Sequence, residues 1–467
     1  MKPIASYICG RWIEGQGPGH TLLNPATEEP LAQASSEGVD LAAALAWARD
    51  RGGPALRALS FAERGALLKG MADALQKARD ELLALGIANG GNTRSDAKFD
   101  VDGAIATLLA YAELGATLGA GRFLVDGEGI QLGRSPRFHG QHFAVPRHGV
   151  AVHINAFNFP AWGLAEKAAA ALLAGMPVLS KPATSTALVA RRAMQLIAER
   201  NLLPEGALQM LVGAPRGLPE LLAAQDVLAF TGSGETGERI RGLPNILRHS
   251  VRVNVEADSL NAAVLGPDAA GGGDMYELFL KDVVRDMTQK AGQKCTAIRR
   301  ILVPLEFVSS VSNDLNELLG ATKVGNPAQE DVRMGPLVSR AQLEDVRAGM
   351  ERLAGEGKRI AEKRKFEKGF FVSPTLFEFT ADSKTDSVHD REVFGPVASL
   401  LPYSGNPAAI VARGNGGLVC SVYAEDTGWL EEVVTGIAPY HGRLFLGHPK
   451  IELSPGPGTV LPQLVHG

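Results

Sequence analysis

The sequence predicts an α/β protein of at least two domains, and three observations carry that prediction. From about residue 149 onward, short β-branched runs alternate with Ala- and Leu-rich segments of helical period, as in parallel sheets covered by helices on both faces. The chain has 467 residues, more than one ordinary core accommodates. Its composition, 45% hydrophobic and 21% charged, is that of a folded globular chain.

The elements follow in order. After an opening hairpin-like segment, residues 41–49 and 61–85 place apolar side chains three and four apart, which predicts two amphipathic helices. Residues 150–154 form a β-branched run and predict a strand, and Pro160 then opens an Ala-rich helix to Leu173. Residues 177–180 predict the next buried strand, 187–199 a helix, 208–212 a strand, 218–224 a short helix and 227–230 another strand. Residues 149–255 therefore predict a dinucleotide-binding unit. A second α/β region starts near Met275, with a helix over 278–290, a polar loop, and a strand over 300–303. No short-period repeat or low-complexity tract is present, and Gly271-Gly272-Gly273 reads as a turn.

Charge and cysteine content narrow the function. A net charge of −4 gives no support to nucleic acid as a partner. The densest basic group, Lys363 to Lys368, is split by Phe366 and Glu367 and reads as a solvated surface. Three widely separated cysteines, Cys9, Cys295 and Cys420, form neither a disulfide framework nor a metal-spaced cluster, so no metal is expected. The N-terminus shows no secretory signal, and the apolar run around Ala168 to Leu179 is broken by Gly175 and Pro177. A cytoplasmic protein without a membrane partner is the expectation.

Three segments bear chemistry. Gly232, Gly234 and Gly237 form G-x-G-x-x-G between a predicted strand and a predicted helix, where glycines let backbone approach a pyrophosphate. The alternative is a tight turn with no ligand. A ribose-binding acid is then sought about twenty residues on. Glu256 stands there, although it is open to another role. Gly292-Gln293-Lys294-Cys295 puts a cysteine in a loop flanked by Lys290, Lys294, Arg299 and Arg300, a setting for a low-pKa thiolate, with a small buried residue as the alternative. Asn155-Ala156-Phe157-Asn158-Phe159-Pro160 holds an Asn amide between aromatics before a helix-opening Pro, as either an oxyanion donor or an Asx turn.

Together these segments resemble the aldehyde dehydrogenase superfamily along nearly the whole chain. Ala156 to Pro160 is similar to the family's Pro-Trp-Asn-Phe-Pro, Lys181-Pro182-Ala183 to its Lys-Pro-Ala, and Phe230-Thr231-Gly232-Ser233 to its Phe-Thr-Gly-Ser. Glu256 matches the general base, although Ala257-Asp258-Ser259 departs from the usual Leu-Gly-Gly. Gly292 to Cys295 matches the nucleophile loop, and Glu392-Val393-Phe394-Gly395-Pro396-Val397 the segment whose Glu holds the nicotinamide ribose.

The resemblance implies a Rossmann-type cofactor domain over 1–123 and 143–255 and an α/β catalytic domain over 256–440. It also implies a small oligomerisation arm over 124–142 and 441–467, and a homodimer. Cys295 is implied as nucleophile, Asn158 as oxyanion donor and Glu256 as base. Lys181, Thr184, Ser180, Arg216, Phe230, Thr231, Gly232, Ser233, Gly237, Glu392 and Phe394 are implied as cofactor contacts. NAD-preferring relatives carry Glu after Lys-Pro-Ala. Thr184 at that position points to NADP as the preferred cofactor, with NAD as the second.

His153 to Pro160, Glu256 to Asn261 and Lys294 to Arg300 are similar to the branch that oxidises CoA-linked semialdehydes from aromatic ring cleavage. The stand-alone benzoate-pathway enzymes are nearer than the phenylacetate ones, which continue into a hydratase domain. A general aliphatic or aromatic aldehyde dehydrogenase is the alternative within the family. A thioesterase or acyltransferase would have no use for the nucleotide segment, and an inactive structural relative would not need Cys295, Glu256 and Asn158 intact. Against the family the chain stops early, at Leu461 to Gly467, and the region from Phe366 is compressed, so a shortened C-terminal part of the arm is expected.

Overall fold

The computed structural model describes residues 2–360, 364–381, 383, 385–450 and 456–457. The chain divides into two compact units, one of Met1–Leu23, Pro30–Asn89 and Ala97–Ala257, the other of Asn24–Glu29, Gly90–Asp96 and Asp258–Gly467.

The first unit is built on a seven-stranded sheet. Its five parallel strands lie in the order Arg252–Ala257, Val227–Gly232, Ala151–Ile154, Val178–Lys181 and Leu208–Met210. The opening hairpin, Ser6–Ile8 and Arg11–Ile13, adds two antiparallel edge strands. One face is a core of Leu45, Val152, Leu179, Leu228, Phe230, Ile240 and Ile246. The helices Phe61–Lys77, Pro160–Leu173 and Ala187–Glu199 pack together as a separate layer. Pro160 starts its helix where a missing N–H costs nothing, and Gly175 ends it at φ +80°.

Two helices predicted in this unit differ from the structure. The segment 61–85 breaks at Ala78 into Phe61–Lys77 and Arg79–Gly90. Lys77 closes one helix and Asp80 and Glu81 open the next, a charge reversal that suits two helix ends. The segment 218–224 is one 3₁₀ turn, Pro219–Leu221, because the buried carboxylate of Asp226 captures the Ala223 N–H at 2.7 Å. Asp226 also accepts the Val150 N–H at 2.9 Å and Arg49 Nη2 at 2.5 Å, tying two strand starts together.

The helix Arg94–Leu118 has the length and hydropathy of a membrane span, but a third of that window is buried in the fold. Its Asp100 and Thr107 are buried and bonded to Trp162, which makes it a core helix. Residues 124–142 fall in a two-stranded antiparallel hairpin, Leu124–Gln131 with His139–Ala144.

The second unit has its own seven-stranded sheet. Six parallel strands, Thr375–Glu378, Val397–Tyr403, Arg300–Pro304, Ala262–Leu265, Gly417–Tyr423 and His441–Leu446, follow an antiparallel edge strand, Lys358–Ile360. Its core gathers Leu265, Phe279, Val283, Ile301, Leu315, Leu400 and Tyr423. The helix expected at 278–290 starts earlier and ends earlier, spanning Asp274–Thr288. His441–Leu446, grouped with the arm in the sequence reading, is the last strand of this sheet, while 451–455 and 458–467 lie outside the described residues. Lys363 of the basic group lies outside them as well.

Candidate active site

In the first unit the carboxyl ends of the parallel strands converge. Ile154 pairs with Lys181 on one side and Phe230 on the other, and Thr231 pairs with Glu256 beyond. The chain first builds outward from Ala151–Ile154 to one side and then returns to its other side, so a topological switch point lies at Ile154. That is where doubly wound sheets bind ligands. Asn158, Lys181, Phe230 to Ser233 and Glu256 all lie at or just beyond these strand ends.

The segment after Ile154 is held stiffly. Asp100 caps the helix at Pro160 by accepting the N–H groups of Ala161 and Trp162 at 3.2 and 2.8 Å. Trp162 donates its indole N–H to Thr107 at 2.9 Å. Phe99, Phe159 and Trp162 form a three-way edge-to-face cluster with centroids 5.5–5.7 Å apart. The Phe157 carbonyl accepts from Thr186 Oγ1 at 2.9 Å. Asn158 lies between these anchors, 8% exposed, and its amide bonds to none of the described residues. A buried amide donor held in this way is preorganised for an oxyanion.

The residues expected to meet a dinucleotide divide into groups. Lys181 is 8% exposed, and its ammonium has no hydrogen-bond or ion-pair partner among the described residues. Burial pushes its ammonium from 10.5 down to about 8. A buried, unpartnered ammonium suits an anionic or hydroxyl-bearing ligand. Thr184 is half-buried in the turn Thr184–Thr186, and its side chain caps neither that turn nor the helix after it. Arg216 is exposed on the loop after Leu208–Met210. Ser180 is instead fully buried, and its hydroxyl accepts from Asn155 Nδ2 at 3.2 Å.

The glycine motif spans the end of Val227–Gly232 and the start of the helix Gly234–Arg241. A Cβ on Gly237 would stand 2.6 Å from Val255 Cγ1, so that glycine lets the helix lie close on the sheet. Ser233 is exposed and bonds Thr236 at 3.1 Å. Glu256 is half-buried, and its Oε2 accepts from Thr231 Oγ1 at 3.3 Å.

In the second unit the chemistry lies at the opposite end of the strands. Cys295 precedes Arg300–Pro304, Glu392 precedes Val397–Tyr403, and Ser259 and Asn261 precede Ala262–Leu265. The nucleophile loop begins with three consecutive left-handed residues, Lys290, Ala291 and Gly292, at φ 54°, 53° and 67°. For the two non-glycine residues this geometry costs roughly 1–2 kcal/mol each. The surroundings enforce it. Lys290 Nζ bonds Asn92 Oδ1 at 3.0 Å, and Gln293 bridges from the Lys290 carbonyl, 3.0 Å, to the Val338 N–H, 3.0 Å. A Cβ at Gly292 would stand 2.2 Å from the Gly395 carbonyl oxygen, so only glycine lets the two segments meet.

Cys295 is half-buried, and each of the four cations beside it in sequence bonds other groups of the unit. Lys290 is tied to Asn92, and Lys294 forms a fully buried ion pair with Asp286 at 2.7 Å. Arg299 pairs with Glu392 at 2.8 Å and bonds the carbonyls of Gly292, Lys294 and Gly395. Arg300 donates to the Leu260 carbonyl at 2.7 Å and to the Val411 carbonyl at 3.1 Å. These buried cations satisfy backbone carbonyls and carboxylates, so they scaffold the loop. Burial pushes the Glu392 carboxyl up while Arg299 holds it down, and its Oε2 accepts the Ser259 N–H at 3.1 Å. The Arg299 guanidinium lies 5.4 Å from the Phe394 ring centroid.

Sequence reasoning missed Asp100 and Asn261. The departure from Leu-Gly-Gly was the signal near Asn261, since Ser259, where that pattern has a glycine, donates its hydroxyl to Asn261 Oδ1 at 2.7 Å.

Residues 12–439 match the aldehyde dehydrogenase family. The chain belongs to that family. As an aldehyde dehydrogenase it is an oxidoreductase that uses a nicotinamide cofactor, NAD(P). It is 46% identical to a 3,4-dehydroadipyl-CoA semialdehyde dehydrogenase of Aromatoleum evansii, over 99% of this chain and 92% of that protein. It is 28% identical to a lactaldehyde dehydrogenase of Escherichia coli K12, over 96% of this chain and 91% of that one. The crystal structure of lactaldehyde dehydrogenase from Escherichia coli superposes with a TM-score of 0.84, at 25% identity, covering 97% of this chain and 92% of the other. An NAD⁺ complex of a Bacillus cereus aldehyde dehydrogenase shares the fold at TM-score 0.81 and 24% identity, over 97% and 90% of the two chains.

Proposed function

We propose that this aldehyde dehydrogenase oxidises a CoA-linked semialdehyde released by aromatic ring cleavage, acts in the cytoplasm and prefers NADP to NAD. The observation that carries the substrate is the 46% identity, over 99% of this chain, with an enzyme named for such a semialdehyde.

The residue roles follow from chemistry. The Cys295 thiolate attacks the aldehyde carbon and forms a thiohemiacetal, whose oxyanion is held by the Asn158 amide and a backbone N–H beside Cys295. The nicotinamide ring supplies the hydride acceptor. Loss of hydride from the thiohemiacetal carbon leaves a thioester on Cys295. Glu256 takes a proton from water, the water oxygen bonds to the acyl carbon, and the thiolate leaves with its electron pair as the acid forms. In this proposal the unit ending at Ala257 is the cofactor domain and the unit from Asp258 the catalytic domain. Lys181, Thr184, Ser180 and Arg216 are assigned to the adenosine end of the cofactor. Phe230, Thr231, Gly232, Ser233 and Gly237 are assigned to its pyrophosphate, and Glu392 and Phe394 to its nicotinamide end. The unpartnered Lys181 and the close-packed Gly237 support this assignment. The buried Ser180 is expected to act through Asn155.

The hairpin Leu124–Gln131/His139–Ala144 exposes Val125, Ile130, Phe138 and Phe143. A two-stranded hairpin with apolar side chains in water is marginal alone, which supports a homodimer arm.

The test is the rise in near-ultraviolet absorbance of reduced cofactor with a panel of free and CoA-linked semialdehydes. The reading expects kcat/KM at least about tenfold higher for a CoA-linked member than for its free counterpart. Equal values would sink the substrate proposal and leave a general aldehyde dehydrogenase.

A further inference from the structure

The nucleophile loop of the second unit is neighboured by a buried group of charges that the mechanism above does not use. The helix Asp274–Thr288 contributes Asp282, Arg285 and Asp286, the loop contributes Lys294, and the strand His441–Leu446 contributes Arg443. Arg285 pairs with Asp282, which also accepts from Tyr423 Oη at 2.9 Å, and Lys294 pairs with Asp286. Arg443 spends Nη2 on the Pro457 carbonyl at 3.0 Å. Its Nη1 is buried with no hydrogen-bond partner among the described residues.

Register links the Arg443 backbone to the Cys295 loop through Val419 and Asn261. Arg443 stands opposite Val419 in the parallel pair. The Val419 N–H bonds Asn261 Oδ1 at 2.9 Å, and Asn261 Nδ2 bonds the Cys295 carbonyl at 2.7 Å. Burial lowers the guanidinium pKa of Arg443, and the negative charges that oppose this are Cys295 first and Asp286 second. Arg285 pairs with Asp282 and Lys294 with Asp286, so Arg443 is the member of this group with no carboxylate bonded to it among the described residues. The guanidinium is half-buried, and its Nη1, shut off from water with an unmade bond, is costly unless an anion answers it.

We propose that Arg443 is the counter-ion of the Cys295 thiolate, a positioning residue that keeps the nucleophile ionised before an aldehyde arrives. Lys294 is bound to Asp286, Arg299 and Glu392 are bound to each other, and Lys290 bonds Asn92. Asp286 works against ionisation and is partly neutralised by Lys294. The proposal rests on Cys295 being the nucleophile.

The experiment is the rate of Cys295 alkylation by iodoacetamide against pH, read by mass spectrometry on the full chain, with Cys9 and Cys420 as references. Native protein, Arg443→Gln and Arg443→Lys are compared. We expect Arg443→Gln to raise the midpoint by about one pH unit or more and to slow alkylation near neutrality about tenfold. Arg443→Lys should restore most of the shift. A folded Arg443→Gln protein with an unmoved midpoint overturns the proposal. Should Arg443→Gln fail to fold, the native protein decides. Iodoacetate should react at Cys295 faster relative to iodoacetamide than it does with glutathione, and salt should reduce the excess; a ratio no higher than that of glutathione overturns it. Failure of the nucleophile assignment is distinct, since it would show as turnover by Cys295→Ala whatever Arg443 does.

Discussion

Asn261 donates from one amide to two carbonyl oxygens of the Cys295 loop, 2.7 Å to that of Cys295 itself and 2.9 Å to that of Ala297. Its Oδ1 accepts the Ser259 hydroxyl at 2.7 Å and the Val419 N–H at 2.9 Å. Four bonds on a fully buried side chain fix the loop to two strands. Asn261→Leu strands those groups without partners, so we expect a loss of about 2–4 kcal/mol in denaturant unfolding. At a temperature where the variant is folded, kcat should fall at least about tenfold while cofactor affinity holds. A folded variant with native kcat would show that Asn261 does not position Cys295.

Cys295→Ala should abolish aldehyde oxidation while cofactor still binds, because the covalent route begins at sulfur. The expected loss is at least about a thousandfold in kcat, the scale for removing one member of a catalytic unit. Initial rates alongside a cofactor fluorescence titration check both halves. Near-native turnover would remove Cys295 from the mechanism.

Glu256 allows two readings, and a single variant separates them. It pairs across the strands with Thr231, whose hydroxyl it accepts, so it stands next to the glycine motif as a ribose-binding acid would. As the deacylation base, Glu256→Gln should give a burst of reduced cofactor and then stall, with acyl mass retained on Cys295. Weakened cofactor affinity without a trapped acyl group would instead support the ribose role.

The alternation of strands and helices was legible because each parallel strand, buried on both faces, is a short apolar run that a periodicity argument detects. The glycine motif, the Asn158 segment and the Cys295 loop stood out as candidates because each gathers chemistry-bearing residue types into a few consecutive positions. Asn261 and Arg443 were not, since their relation to Cys295 depends on strand register across 34 and 148 residues of sequence, obtained as 295 − 261 and 443 − 295. The cations beside Cys295 misled for the converse reason. Adjacency in sequence says nothing of direction, and in this loop the long basic side chains turn inward to carbonyls and carboxylates.

Lys181 links cofactor binding to pH. Burial lowers its pKa from 10.5 to about 8, so folding favours the neutral amine. The penalty on the charged form is full below about pH 8 and relieved toward about pH 10.5, so this group alone makes stability rise across that window. Binding runs the other way if a phosphate of NADP meets the ammonium. NADP affinity should weaken above about pH 8, by up to about tenfold per pH unit, and Lys181→Met should bind weakly with no such slope. Dissociation constants from about pH 7 to about pH 9.5 decide it; a native curve as flat as the variant's would detach Lys181 from the phosphate.

In the proposed assignment cofactor choice turns on Thr184. It lies three residues beyond Lys181, half-buried, with a hydroxyl that caps neither the 3₁₀ turn it opens nor the following helix. The hydroxyl thus remains available as a neutral donor to an anionic ligand. A carboxylate at this position would accept from ribose hydroxyls and repel a 2′-phosphate in a groove where the neighbouring ammonium is already desolvated. Native enzyme should therefore favour NADP by at least about tenfold in kcat/KM, about 1.4 kcal/mol, and Thr184→Glu should reverse the order. Because the side chain holds no other bond, the substitution should leave unfolding nearly unchanged, and a reversal would report on the cofactor alone. Equal use of both cofactors by the native enzyme, or an unaltered preference in Thr184→Glu, would move the source of selectivity to Lys181 or Arg216.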